Sequence, residues 1–185
     1  EGEIELAAQR KLPTLIGYGD LKGDLHTHTN WSDGAQSTEE MVKHAVELGH
    51  EYYAITDHSI SDRVANGLDE KRLAQHMKEI DALQKKFPQI HLLKGSEVHI
   101  HSDGKLDYSP KVLSELDIVI GSVHSSFKME EKKMTQRLKN ALENEYLTFI
   151  AHPTGRLINQ RNPYSFNFEE ILDAAKANGK ALEIN

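Results

Sequence analysis

At 185 residues, with 38% apolar and 28% charged side chains, the chain has the material for one globular domain with a sizeable core and needs no covalent staples. The absence of cysteine excludes disulfides, thiolate metal sites and a cysteine nucleophile, so any metal must be held by nitrogen and oxygen. A net charge of -7 argues against a dedicated nucleic-acid-binding surface; with no apolar run near the roughly 18 residues of a membrane span and an acidic amino terminus unlike a signal peptide, a cytoplasmic protein is expected.

Residues 1–20 carry a short helical pattern (Ile4, Leu6, Ala7, Ala8) stopped at Leu12-Pro13 and followed by Gly17-Tyr18-Gly19, the punctuation of a junction segment ahead of a domain over 21–185. A first strand runs into His26 and His28. Ser37-Thr38-Glu39-Glu40 is a capping box opening a helix with Met41, Ala45 and Leu48 on one face and Gly49 beyond its end. Tyr52 to Thr56 is a strand of buried type entering Asp57-His58, and Leu73, Met77, Ile80 and Leu83 mark a helix that stops at Pro88. The third strand, Ile90 to Ser96, delivers Glu97, and Ser109-Pro110 opens a short helix. A fourth strand, Asp117 to Val123, ends at His124, and a helix follows with Met134, Leu138 and Leu142 in register. Leu147 to Ala151 delivers His152; a long loop leads to an Asn167-capped helix ending at Asn178-Gly179, and Ala181 to Ile184 begins a sixth strand.

Strands alternating with helices, each strand nearly all apolar, predict an α/β fold with a parallel sheet covered on both faces. Five of the six predicted strands end in a potential ligand. In α/β barrels the functional groups gather at the carboxyl ends of the strands, so His26, His28, His58, Glu97, His124 and His152 are expected to converge. Side chains at i and i+2 of an extended segment share a face, which aims His26 and His28 at one point and lets the Asp33-Gly34 turn return a carboxylate beside them. Imidazole with carboxylate suits zinc, manganese or iron.

Other residues read differently. His99 and His101 share the parity of Glu97, but Ser102-Asp103-Gly104 signals a turn and places them on the rim or surface. His44, His50, His76 and His91 fall on helices or loop starts, where solvated or capping roles are expected. Asp57, on the opposite parity from His58, reads as support for the ligands. Ser125 and Ser126 beside His124 lack the surroundings of a nucleophile elbow.

The run Gly23-Asp24-Leu25-His26-Thr27-His28 to Ser32-Asp33-Gly34, with Thr56-Asp57-His58-Ser59, Gly95-Ser96-Glu97, Gly121-Ser122-Val123-His124-Ser125 and Ala151-His152-Pro153-Thr154-Gly155-Arg156, closely resembles the polymerase and histidinol phosphatase (PHP) family. The flanks Glu1 to Ile16 and Gly155 to Tyr164 resemble the carboxy-terminal PHP domain of family X DNA polymerases. The resemblance implies a distorted seven-stranded βα barrel, here truncated after the sixth strand, binding up to three divalent metals: zinc, manganese or iron. It implies that His26, His28 and Glu97 hold the first, that Glu97 bridges to a second held by His124 and His152, and that Asp33 and His58 hold a third. The two remaining family ligands, an Asp-x-His ending the seventh strand, are absent, so the second site is expected to fill most readily and the exposed sixth strand to invite pairing with a second copy. The implied function is 3'-5' exonuclease-type phosphodiester hydrolysis by metal-activated water, with Glu97 and Arg156 in catalytic roles, DNA 3' ends as substrate and the polymerase domains of a parent chain as partners. The alternatives are a small-molecule phosphomonoesterase of histidinol-phosphatase type and a non-catalytic scaffold.

Overall fold

The apolar runs become parallel strands, and the capped amphipathic stretches become the helices that return the chain between them. A computed structural model, which describes residues 2–184, places β1 (Gly23–Asp24), β2 (Tyr52–Ile55), β3 (His91–His99), β4 (Ile118–Ser122), β5 (Phe149–Ile150) and β6 (Ala181–Leu182) in one sheet in sequential order, each neighbouring pair parallel. The helices are α1 (Glu3–Ala8), α2 (Thr38–Glu47), α3 (Glu70–Lys86), α4 (Pro110–Leu113), α5 (Glu131–Leu142) and α6 (Phe168–Asn178). Strictly sequential parallel order is the order of a βα barrel, whereas a doubly wound sheet reverses direction at a switch point.

Contacts between the two edges prove the curvature. Flat strands stand about 4.8 Å apart, so six would hold the outer pair roughly 24 Å from each other. Yet Nδ1 of His26, just past β1, lies 2.8 Å from Oε1 of Glu183, just past β6. The sheet is a partial barrel.

Alternation along the strands sorts the side chains into layers. Tyr53, Ile55 and Leu92 face outward and pack with Val42 and Ala45 of α2 and Ile80 and Leu83 of α3. Val98, Val119 and Ile150 likewise meet Met134, Leu138 and Leu142 of α5 and Ile171 and Ala175 of α6. Residues of the other parity, Ala54, Ile118, Ile120 and Phe149, form a small inner cluster with Ala151 and the half-buried Leu25 and Leu93. This cluster is the floor beneath the carboxyl ends of the strands. Gly95 keeps the floor narrow, because a Cβ there would come within 2.7 Å of Thr56 Cγ2 and 3.0 Å of Ile118 Cγ2.

Several boundaries differ from those expected. The β1 ladder is two residues long, and the chain from Leu25 to Thr29 is held by side-chain bonds and by the Thr56 amide donating to the Thr27 carbonyl. β3 runs on through His99, three residues beyond its expected end, while the turn stands at the expected Ser102-Asp103-Gly104, with Gly104 at φ 89°. On α2 the buried residues are Thr38, Val42 and Ala45, while Leu48 falls past the last turn and is 73% exposed. Asp69 caps α3 by accepting from Arg72 N at 2.7 Å, a signal the apolar spacing alone does not show. Every residue from Gly2 to Lys22, α1 included, is exposed. No helix among the described residues is long and apolar enough to cross a membrane.

Leu138 is fully buried between α5 and the sheet. Leu138→Ala is expected to lower the unfolding free energy by about 2–5 kcal/mol, whereas Leu48→Ala should stay within about 0.5 kcal/mol. Chemical denaturation of the two variants checks the assignment of inner and outer faces.

Candidate metal centre

Glu97 leaves the inner face of β3 directly above the apolar floor, and its side chain is 1% exposed. Burial on that scale strongly disfavours a carboxylate unless charge and hydrogen-bond donors surround it. They do. Oε2 lies 3.2 Å from Nε2 of His26, 3.2 Å from Nε2 of His28 and 3.2 Å from Nδ1 of His58; Oε1 lies 3.0 Å from Nε2 of His124 and 2.8 Å from Nε2 of His152. Five imidazoles drawn from four strand ends thus surround one carboxylate, and Asp33 stands 3.7 Å from both His28 Nδ1 and His58 Nε2. The structure brings together all seven residues expected as ligands.

The loops carrying them are fixed from outside. Thr27 donates from Oγ1 to Ala54 O at 2.6 Å, and its amide donates to Thr56 Oγ1 at 2.9 Å, locking the His26-to-His28 segment onto β2. Asp57 supports the loop as expected: it accepts from Thr29 N and Thr29 Oγ1, each at 2.8 Å, and from the amide and hydroxyl of Ser32. Trp31, from the same loop, stacks on His76 of α3 at 4.7 Å and donates to Glu79 Oε2 at 2.7 Å. Arg72 donates to the Trp31 carbonyl. On the far side Arg137, 1% exposed, donates from Nη1 to Ser125 O at 3.0 Å and from Nε and Nη2 to Ile100 O.

Two placements correct the expectations. His76 is 2% exposed, not solvated, with Nε2 3.2 Å from Thr38 Oγ1 and Nδ1 3.5 Å from Asp57 Oδ2; it stands on the buried stripe Leu73, His76, Ile80, Leu83 of α3. His99 is 6% exposed, not a rim residue, because β3 carries it inward; its Nε2 lies 3.2 Å from Ser125 Oγ, and its ring stacks 5.9 Å from that of His124. His101 is half-buried against Asp107 at 2.7 Å. Arg156 is exposed on the loop after His152, and among the described residues its guanidinium makes no hydrogen bond or ion pair; its loop neighbour Arg161 instead covers the Phe127 ring at 3.8 Å and donates to Gly155 O.

Two further carboxylates at the centre escape the sequence reading. Asp62 Oδ2 lies 3.3 Å from His124 Nδ1 and 3.6 Å from His58 Nδ1; Glu183 reaches His26 Nδ1 at 2.8 Å and the His152 amide at 2.6 Å. Asp62 follows His58 by one helical turn's spacing, and Glu183 ends the sixth apolar run as the ligands end the others. Those were the available signals.

The electrostatics favour a charged carboxylate among imidazoles. Burial pushes the Glu97 pKa up, but hydrogen bonds from His124, His152, His26 and His28 prevail and hold it far below the usual carboxylate range. Burial works to lower the His26 pKa, and the Glu97 and Glu183 carboxylates overcome it, raising it to about 9. For His58 burial prevails over Glu97 and, with His28 and His124 adding to it, lowers the pKa and leaves a neutral ring. Metal ions fit this donor set on physical grounds. A carboxylate offers about four lone-pair sites, fewer than the imidazoles around it. Nδ1 of His28, His58 and His124 are also buried without a hydrogen-bond partner. Three clusters among the described residues are spaced to hold an ion: His26-His28-Glu97, His28-Asp33-His58 and His58-Glu97-His124.

A family model described as "PHP domain" matches residues 24–185. The chain is 49% identical over 171 residues to "DNA polymerase/3'-5' exonuclease PolX" of Bacillus subtilis (strain 168), a match covering 92% of this chain and 30% of that protein. It is 33% identical over 167 residues to a probable phosphatase of Caldanaerobacter subterraneus, covering 88% of the chain and 61% of the relative, and 35% identical over 168 residues to one of Acetivibrio thermocellus, covering 88% and 64%. The chain therefore spans less than two thirds of each of these relatives. Among solved structures, histidinol phosphate phosphatase from Lactococcus lactis subsp. lactis, complexed with zinc, L-histidinol and phosphate, superposes with a TM-score of 0.60 at 22% identity, covering 89% of this chain and 73% of that one, which establishes likeness of fold.

In the metal-free protein the raised pKa keeps His26 protonated below about 9, whereas the unfolded chain loses that proton near 6.5. A cation arriving at Nε2 must displace it. Zinc affinity should therefore climb by about tenfold per pH unit on account of this group as the pH rises toward about 9, and level off above it. Calorimetry near neutral pH in buffers of different ionisation enthalpy should register about one proton released from it; binding without proton release would contradict the charge state assigned to His26.

Proposed function

This chain belongs to the PHP domain family, and on that premise we propose that it is a metal-dependent phosphoesterase, with 3'-5' exonuclease-type hydrolysis at DNA ends as its specific activity and a family X DNA polymerase as its setting. The observation that carries the chemistry is the division of Glu97 between its two oxygens, Oε2 toward His26 and His28 and Oε1 toward His124 and His152. Divalent cations, zinc or manganese by ligand type, would be held by Glu97 together with His26, His28, His124 and His152, with Asp33 and His58 available to a further ion. Such ions supply Lewis-acid activation of water and of the phosphoryl group, which relieves the chain of providing a nucleophile.

The chain's own residues do the holding and orienting. Asp57 keeps the Thr29-to-Asp33 loop in place, and Asp62 faces Nδ1 of both His58 and His124. Arg156, exposed three residues beyond Pro153 and with its guanidinium unengaged among the described residues, is placed to balance charge on a phosphate entering past His152. Identity to PolX favours DNA 3' ends as substrate. Polymerase domains of such a parent supply the grip on DNA that a chain of net charge -7 lacks, and a cytoplasmic location goes with that reading.

A second reading, small-molecule phosphomonoester hydrolysis, is favoured by the relatives named as probable phosphatases and by the acidic charge. Parallel assays of a 3'-labelled single strand and of histidinol phosphate, with zinc, with manganese and with chelator, separate the two. Faster turnover of the strand is expected; exclusive turnover of histidinol phosphate favours the second reading, and no metal-dependent hydrolysis of either would overturn both. Glu97→Gln and His124→Ala should each lower activity by more than about 100-fold, the upper range for residues that merely support ligands, with circular dichroism unchanged.

A further inference from the structure

We propose that Glu183 is a positioning residue of the metal centre, a single carboxylate that sets the ring of His26 and the backbone of His152 at once and so fixes the two halves of the centre relative to each other. The inference rests on the metal-dependent reading above and deepens it. Glu183 lies just past β6, with its side chain 21% exposed. Its Oε1 accepts from His26 Nδ1 at 2.8 Å. With the proton of the ring committed to Nδ1, the lone pair of a neutral His26 sits on Nε2, the nitrogen 3.2 Å from Glu97 Oε2. A histidine ligand is oriented, and its tautomer chosen, by this kind of outer hydrogen bond.

The other oxygen addresses a different problem. Phe149 and Ala151 both belong to the inner floor, so simple alternation would turn the next residue, His152, away from the centre. The backbone instead bends at His152 to φ 28°, a conformation that side chains with a Cβ rarely adopt, and the ring swings inward to place Nε2 2.8 Å from Glu97 Oε1. Such a conformation persists only where its surroundings hold it. Glu183 Oε2 accepts from the His152 amide at 2.6 Å, anchoring the bend at its own residue. The two rings so held stand 5.9 Å apart and face opposite oxygens of Glu97.

Glutamine preserves the size of Glu183 but offers one acceptor oxygen in place of two, so one of the two donors must face an NH2 group. Glu183→Gln is therefore expected to weaken zinc binding by about 10–100-fold, measured by competition against a chromogenic chelator, with little change in the melting temperature of the metal-free protein. Ile184→Ala, at a fully exposed neighbour, should leave the affinity unchanged. Independently of any variant, nitrogen-15 NMR of the zinc-loaded wild type should show His26 protonated at Nδ1 and coordinated through Nε2. Coordination through Nδ1, or equal zinc affinity in wild type and Glu183→Gln, would overturn the role of Glu183 while leaving the metal centre standing. A wild type that binds no zinc or manganese would instead sink the metal reading itself.

Discussion

A carboxylate buried to 1% exposure is the constraint from which the rest of this structure follows. Water cannot solvate Glu97, so the protein must supply its donors, and one strand cannot do so. Imidazoles arrive from the ends of β1, β2, β4 and β5, which is possible only if the sheet curls until strands far apart in sequence look across a common opening. The inner floor of Ala54, Ile118, Ile120, Phe149 and Ala151 is correspondingly apolar, and Gly95 gives up its side chain altogether. Charge, curvature and packing are here one requirement.

A ring of ligands on loops needs a second set of bonds that keeps the loops still. In this molecule those bonds are made largely by short polar side chains: Thr27 with Thr56 and Ala54, Asp57 with Thr29 and Ser32, and Asp107 with Ser59 and Ser61. Short side chains lose little rotamer freedom when fixed, so their bonds come at a small entropic cost compared with those of lysine or glutamine. Asp107 illustrates the balance: burial pushes its pKa up, but the hydroxyls of Ser59 and Ser61, the Ser61 amide and His101 prevail and lower it. The helices meanwhile receive the outward faces of the same strands, so one alternation serves both the core and the site.

Much of this was legible in the sequence because His58, Glu97, His124 and His152 each follow an apolar run, and a run of that kind marks a buried strand with its carboxyl end at the rim. The capping box at Ser37 and the cap at Asn167 likewise stand where the helices begin. What escaped is long-range. Glu183 meets His26 across 157 residues, and nothing local to either announces the partnership. His76 occupies a core position of α3, which the spacing of Leu73, Ile80 and Leu83 displays; the default of a solvated helix histidine hid it. For His99 two local signals competed, parity with Glu97 and the turn at Ser102, and β3 continues because Val98 and Ile100 bury their side chains on its outer face before that turn begins.

The guanidinium of Arg137 ties the outer helical layer to the rim. Standing on α5, outside the sheet, it grips the carbonyl of Ile100, past β3, and that of Ser125, past β4, and no carboxylate shares it among the described hydrogen bonds and ion pairs. A planar fork can span two loops in this way where a single ammonium cannot. The chain just past Glu97 and the chain just past His124 are thus both held by one side chain rooted in an outer helix. Part of the rim is therefore pinned from the layer behind it, by a buried cation whose partners are backbone carbonyls.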